Sequence, residues 1–361
     1  MDALTRSLDG ERIEEEDAHH LLGVTGWDLV ALMVAANAVR ERVNGDRVTF
    51  VVNRNVNFTN VCTHRCRFCA FSVPPGHPDA YFLSPGEVAA KVAEAVEAGC
   101  TEVCIQGGLH PDAGLETYEE ILAAVRSVSS EVHVHAFSPE EVHHAAKKDG
   151  LSHEEVLRRL KAAGLNSVPG TAAEILVDEV RRRICPNKLS TAEWVDVVTS
   201  AHRLGLPSTA TIMYGHVETL AHRARHLAVL RDVQERTGGF TEFVPLPFVA
   251  QNVSSLDVSP ARAHGIGVDD LKLFAVARLF FQGFVHNVQC SWVKLGPRFA
   301  QTSLYWGVND FSGTLMEENI SRTAGAQFGQ ALSVEEVVAI VKAAGRIPVQ
   351  RDTTYNELRV Y

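Results

Sequence analysis

Short β-rich runs alternate along the chain with longer segments whose apolar residues recur at helical spacing. The runs are Val48–Asn57, Thr101–Ile105, Val132–Ala136, Leu165–Val168, Thr209–Met213, Thr241–Pro245, Asn287–Ser291 and Leu304–Val308. Eight such runs separated by helices are the count of an α/β fold of the TIM, or (β/α)8, barrel type. The helix starts agree. Ser84-Pro85-Gly86-Glu87, Ser138-Pro139-Glu140-Glu141 and Ser190-Thr191-Ala192-Glu193 each set a hydroxyl three residues before a glutamate, the spacing of a capping box. Two of them put proline at the first helical position. Ser152/Glu155, Thr171/Glu174 and Ser333/Glu336 repeat the spacing.

Residues 1–46 read as an N-terminal helical extension with Trp27–Val43 as its main helix, residues 47–345 as the barrel, and residues 346–361 as a tail of strand or loop character packed on it. A chain of 361 residues that is 46% hydrophobic and 22% charged has ample apolar material for one large folded domain. A formal net charge of −10 gives no electrostatic basis for nucleic-acid binding, which rests on basic surface. Trp27 to Val39 is too short to span a bilayer, and the acidic start offers no secretory h-region. The expectation is a cytoplasmic chain without membrane or nucleic-acid partners, in which the seven cysteines are thiols or metal ligands.

The cysteines are unevenly spread. Cys62, Cys66 and Cys69 fall within eight residues, directly after the first predicted strand, where barrels carry their site residues. Three thiolates at such short gaps suit three irons of a cubane cluster, leaving one iron without a protein thiolate. A zinc ion held by the three cysteines and His64 is the competing reading, although structural zinc sites usually come as paired Cys-x2-Cys units. Cys100, Cys104, Cys185 and Cys290 read as core or near-core residues.

Other strand exits carry polar groups. Gly107 and Gly108 end the second strand and read either as a turn or as backbone that a ligand approaches closely. His133 and His135 alternate to one side of the third strand, and Ser138 is a helix cap. Thr171 and Glu174 after the fourth strand read as a capping box, or as contacts to a polar substrate or cofactor. His216 and Glu218 close the fifth strand and are candidates for substrate binding or proton transfer. The His-x-Glu pair lacks the downstream Pro-Cys-x-x-Cys of a zinc deaminase. Asn309 and Asp310, with Glu317, Glu318 and Asn319, follow the eighth run and read as polar groups for a uracil-like ring or a polyol, or as a solvated loop.

The Cys62-x3-Cys66-x2-Cys69 motif, with Phe68 before the last cysteine, resembles the signature of the radical S-adenosylmethionine superfamily. NFTNVC (57–62), EVCIQGGLHPD (102–112), PGTAAEIL (169–176), ICPNK (184–188), MYGHVE (213–218) and TGGFTEFVPLPF (237–248) are similar to the second-subunit family of FO synthase. Related enzymes of menaquinone synthesis, acting on futalosine-type intermediates, more usually read PGGGAE at the fourth exit. The resemblance implies one [4Fe–4S] cluster on Cys62, Cys66 and Cys69, with S-adenosylmethionine chelating the open iron. It implies Phe68, Gly107, Gly108, Ser138 and Glu174 beside S-adenosylmethionine, Thr171, Asn309 and Asp310 toward substrate, and His216 and Glu218 in the chemistry. The implied substrates are L-tyrosine and 5-amino-6-(D-ribitylamino)uracil, on the way to the deazaflavin of coenzyme F(420). With a single cysteine triad, the chain is expected to perform one of two radical steps. The other FO synthase subunit and an electron donor are then implied partners.

Overall fold

A computed structural model describes residues 2–253, 255–256 and 266–361. The first β-rich run splits into β1 (Arg47–Val51) and β2 (Asn53–Asn57), with Val52 between them. The split lets one stretch of chain serve three neighbours. β2 pairs in parallel with β3 (Glu102–Gln106), which pairs with β4 (His133–Ala136). β5 (Ser208–Tyr214) pairs with β6 (Phe240–Pro247), and β7 (Asp310–Gly313) pairs with β1.

Single parallel bridges join these ladders. His135 pairs with Ser167, Val168 with Ser208, Phe243 with Val288, and Gln289 with Asp310. Followed in order, the pairing runs from β2 around eight parallel positions and returns through β7 and β1. This is the expected barrel, with its fourth and seventh positions thinned to single bridges.

One expected strand is in the wrong place. Leu304–Val308 is not extended, because helix Pro297–Ser303 runs up to it and turns there. Ala300, Leu304 and Val308 are buried at a spacing of four and continue the buried face of that helix, although Leu304, Trp306 and Val308 also alternate. The strand begins at Asp310 instead. The residues after Arg346 are also more than a tail. β8 (Ile347–Arg351) pairs in parallel along the whole of β1, and β9 (Glu357–Val360) folds back on it antiparallel.

The capping boxes at Ser84, Ser138, Ser190 and Ser333 form, and Ser152 accepts from Glu155 N. Each such cap is worth about 1 kcal/mol. Thr171 and Glu174 do not cap a helix, since the next one, Asp178–Ile184, starts four residues beyond Glu174. Of the N-terminal helices α1 (Asp2–Leu8), α2 (Glu15–Leu22) and α3 (Gly26–Asn44), the last two pack on helices Leu220–Thr237 and Val268–Phe280, outside the β5–β6 side of the barrel, and α1 packs on α3. Two apolar cores result. One lies under β1–β4, and the other joins β5, β6 and the N-terminal helices. No described helix is long and apolar enough to cross a membrane.

Candidate active site

The chain leaving β2 makes a long excursion before helix Pro85–Glu97, and two side chains close its base. Thr59 Oγ1 donates to Tyr81 O at 2.7 Å. Asn60 donates to Asp79 O at 2.9 Å and accepts from Tyr81 N at 2.9 Å. Cys62 N donates to Val73 O, and Cys69 N to Cys66 O, so the cysteine segment is a closed turn on that base. Arg65 adopts a left-handed φ of 48° within it.

The strand exits grip this loop from both sides. Gly108 N donates to Thr59 O and Thr63 N to Leu109 O, while Arg67 N donates to Ile184 O. The glycines are needed for this grip. A Cβ on Gly108 would lie 2.2 Å from Val61 O, and one on Gly107 would lie 2.6 Å from the Phe58 ring. Neither has a positive φ. Close packing of the cysteine loop on the second strand, not a left-handed turn, is what excludes a side chain there.

Cys62, Cys66, Phe68 and Cys69 line a cavity of about 420 Å³ that runs down into the barrel. That is within the usual range for small-molecule sites. All three thiols are free and half-buried. Burial pushes the Cys66 thiol well up, and Lys188 pulls it the other way. Burial outweighs the lysine, so the thiol form is favoured at Cys66. Among the described residues no three His, Cys, Asp or Glu side chains gather closely enough to hold one metal ion. His64 Nδ1 lies 3.3 Å from Glu140 Oε1, so its imidazole has a carboxylate neighbour within the protein. Three thiols on one loop are a donor set that a three-thiolate cluster can use.

At the fourth exit, Glu174 takes a left-handed φ of 45° and Ala172 one of 63°. Such backbone in non-glycine residues costs on the order of 1–3 kcal/mol each and concentrates at functional sites. It turns the Glu174 carboxylate to Lys188 Nζ at 2.7 Å, both side chains being largely buried on the cavity wall. Lys188 Nζ also stands 5.4 Å from the Phe68 ring centre. Although burial opposes the charge, Glu174 and Cys66 keep the Lys188 ammonium firmly protonated. His64 and Lys188 likewise hold the buried Glu140 carboxyl below its usual value.

Ser138 lines the cavity, but its hydroxyl donates to Glu141 at 2.6 Å within the capping box. Glu141 also accepts from Gly107 N at 3.0 Å, tying the second exit to the third. Burial pushes the Glu141 carboxyl up to about 7. Thr171 lines the cavity with its hydroxyl 3.4 Å from Gln106 Oε1. His133 and His135 both reach Ser167 Oγ at 2.7 Å, one polar contact each.

Four expected site residues do not line the cavity: His216, Glu218, Asn309 and Asp310. The Glu218 carboxylate accepts from Gly215 N, His216 N and Arg223, and His216 Nε2 lies 3.0 Å from Met213 O. Asn309 accepts from Arg278 and from Val288 N. Asp310 accepts from Thr49, Arg351 and Ser312 N. Their hydrogen-bonding capacity is spent on the scaffold. Cys104, expected in the core, is half-buried against the cavity instead.

The cavity also has members that sequence reasoning passed over. Lys188 was visible only as part of the ICPNK run, and nothing in its spacing points at Glu174. Lys294, Glu242 and Arg351 also line the cavity, as does Glu318, which the sequence already marks among the polar residues after the eighth run. Glu242 accepts from Gln289 at 2.9 Å and Arg351 at 3.2 Å and is held by Tyr355. Burial pushes its carboxyl up to about 7, against the pull of Arg351.

Comparison with known proteins accords with this geometry. Residues 56–230 match the Radical SAM superfamily, and residues 237–360 match the CofH/MqnC C-terminal region. A 5-amino-6-(D-ribitylamino)uracil–L-tyrosine 4-hydroxyphenyl transferase of Methanothermobacter thermautotrophicus is 51% identical over 98% of this chain and 96% of its own. The enzyme of that name from Archaeoglobus fulgidus is 52% identical over 90% of this chain and 92% of its own. Among solved structures, the FeFe-hydrogenase maturase HydG from Carboxydothermus hydrogenoformans superposes with a TM-score of 0.76 at 18% identity, over 98% of this chain and 79% of its own. Methylornithine synthase does so at 0.70 and 16%, over 96% and 97%. Those two likenesses speak to the fold alone. The thiol triad on its clamped loop, the barrel behind it and half-identity along nearly the whole length converge: the chain belongs to the 5-amino-6-(D-ribitylamino)uracil–L-tyrosine 4-hydroxyphenyl transferase family of the radical SAM superfamily.

Proposed function

We propose that this protein joins the 4-hydroxybenzyl group of L-tyrosine to C5 of 5-amino-6-(D-ribitylamino)uracil, breaking the tyrosine Cα–Cβ bond and releasing 2-iminoacetate. One observation carries the reading. Three free thiols of one loop face a 420 Å³ cavity, in a chain half-identical along 98% of its length to a transferase of that name. Cys62, Cys66 and Cys69 would hold a [4Fe–4S] cluster and leave one iron for S-adenosylmethionine. Together, when bound, these supply a carbon radical able to take a hydrogen atom from tyrosine.

The protein's own part is positioning and exclusion of water. Gly107 and Gly108 allow the second exit to hold the cysteine loop in one place. Glu174, fixed by Lys188, presents an oriented carboxylate suited to the ammonium of the methionine moiety. Phe68, Ser138 and the backbone of Gly107 border the same space, and Thr171 reaches it beside Gln106. Val244, Leu246, Phe248 and Leu315 give that space an apolar wall, and excluding water there would protect a reactive radical from side reactions. We infer that a separate radical enzyme, the other FO synthase subunit, completes the chromophore, that an electron donor reduces the cluster, and that both meet this chain in the cytoplasm.

Anaerobic turnover of the reconstituted protein with dithionite and S-adenosylmethionine tests the reading. Tyrosine plus the ribitylaminouracil is expected to give the adduct and 5′-deoxyadenosine by mass spectrometry. Turnover with a futalosine-type compound alone would move the protein to menaquinone synthesis, which the shared C-terminal region also accommodates.

A further inference from the structure

One cation of the cavity has no part in the reading above. Lys294 lies in the four-residue helix Trp292–Leu295, which follows the seventh barrel position. The helix is fixed by Trp292 Nε1, which donates to Gly313 O at 2.9 Å, and by Leu295 N, which donates to Ser291 O at 3.0 Å. Trp292, Val293 and Leu295 are buried, and Lys294 lines the cavity.

The other cationic side chains on the wall are matched. Lys188 meets Glu174 at 2.7 Å, Arg351 meets Asp310 at 2.6 Å and Glu242 at 3.2 Å, and His64 meets Glu140 at 3.3 Å. Burial keeps His135 neutral, with its pKa lowered to about 4. The Lys294 ammonium makes no hydrogen bond or ion pair among the described residues, its backbone amide alone donating, to Ser291 O at 3.0 Å. Withdrawal from water opposes its charge, while Glu318 and then Glu174 favour it from a distance. Glu318 lines the same cavity, also buried, and accepts from Ser321 N at 2.9 Å, but it makes no ion pair with Lys294.

Lys294 is half-buried, and an ammonium on a cavity wall with no counter-charge in contact is stabilised when an anion arrives. Lys294 and Glu318 line one cavity without pairing, so its wall offers both signs to a ligand that bears both. Of the two co-substrates proposed above, the ribitylaminouracil brings no anion at neutral pH, whereas tyrosine brings a carboxylate and an ammonium on one carbon.

We infer that Lys294 receives the α-carboxylate of tyrosine and Glu318 its α-ammonium. The inference rests on the transferase reading for the identity of the amino acid. Both groups belong to the fragment released as 2-iminoacetate. The pair therefore anchors the half of tyrosine that leaves and keeps the 4-hydroxybenzyl half free to transfer.

The test is equilibrium binding to the cluster-loaded protein with S-adenosylmethionine present, run beside turnover. Lys294→Met is expected to weaken tyrosine binding on the order of 100-fold, as when one partner of a buried charge pair is lost. Lys294→Arg should recover part of it. Tyramine, which lacks the carboxylate, should bind wild type and Lys294→Met equally weakly. Glu318→Gln should weaken tyrosine but not 3-(4-hydroxyphenyl)propionate, which lacks the ammonium. Cluster absorbance and circular dichroism report whether each variant is folded and loaded. Unchanged tyrosine affinity in loaded Lys294→Met overturns the inference, and so does a loss of S-adenosylmethionine affinity in its place. Lys294-dependent tyrosine binding without adduct formation in wild type sustains the inference and sinks the transferase reading.

Discussion

Two glutamates follow neighbouring barrel positions and end in opposite roles. Glu174 sits a few residues past the fourth position and Glu218 a few past the fifth. Both are largely buried and both pair with a cation. Glu218 finds everything locally: the amides of Gly215 and His216, and Arg223 five residues on in the next helix. Its carboxylate is turned into the scaffold and fastens the fifth exit. Glu174 lies on left-handed backbone with no helix to cap, and its partner Lys188 comes from a loop fourteen residues away. Its carboxylate is turned into the cavity, beside Phe68 and Cys66. A buried acid saturated by its own turn is structural. One held open by strained backbone and a distant lysine is available to a ligand.

The comparison can be broken or sharpened by substitution. The largest effect is expected on the cavity side, where Cys66→Ala should abolish iron binding and deoxyadenosine formation and leave a folded barrel by circular dichroism. An intact cluster spectrum in that variant would remove Cys66 from the ligand set.

Glu218→Gln should cost about 3–5 kcal/mol of stability, because Arg223 is left buried without its counter-charge. Thermal denaturation reads this, while turnover per folded molecule should be unchanged. The pH dependence sharpens the point. Despite burial, His216 and Arg223 pull the Glu218 carboxyl down to about 2 from 4.5. Its contribution is therefore complete above pH 4.5 and lost as pH falls toward 2. Glu218→Gln should flatten that part of the acid limb.

Glu174→Gln should do the reverse. We expect turnover to fall about 100-fold, as when a buried charge-assisted contact is cut, with a rise in the S-adenosylmethionine concentration needed. Equal stability losses and unchanged kinetics in both glutamine variants would erase the distinction. Phe68→Leu should have the smallest effect. The cation–π contact with Lys188 is worth roughly 0.5–1 kcal/mol, or a few-fold in turnover.

Much was legible before any coordinates. Local chemistry declares itself in local sequence: capping boxes need only a hydroxyl and a glutamate three residues apart, and the cysteine triad needs only its spacing and its place after the first strand. Strand periodicity placed seven of the eight barrel positions. It failed at Leu304–Val308, where three buried apolar residues in five, Leu304, Trp306 and Val308, read equally as strand or as the end of a buried helix.

What the chain determined alone was thus whatever depends on neighbours within a turn or two: helix starts, the cluster loop, the alternation of strand and helix. The tertiary structure decided which polar side chains face the cavity. Lys188 opposite Glu174, the Lys294 ammonium without an ion pair among the described residues, and β8 laid along β1 across some three hundred residues all depend on barrel closure. The same closure gave Asn309 and Asp310 to Arg278 and Arg351, so two residues of suitable chemistry never reach the cavity. A side chain's direction at a strand exit is set by whichever partner closure brings within hydrogen-bonding reach, and spacing along the sequence carries no record of that partner.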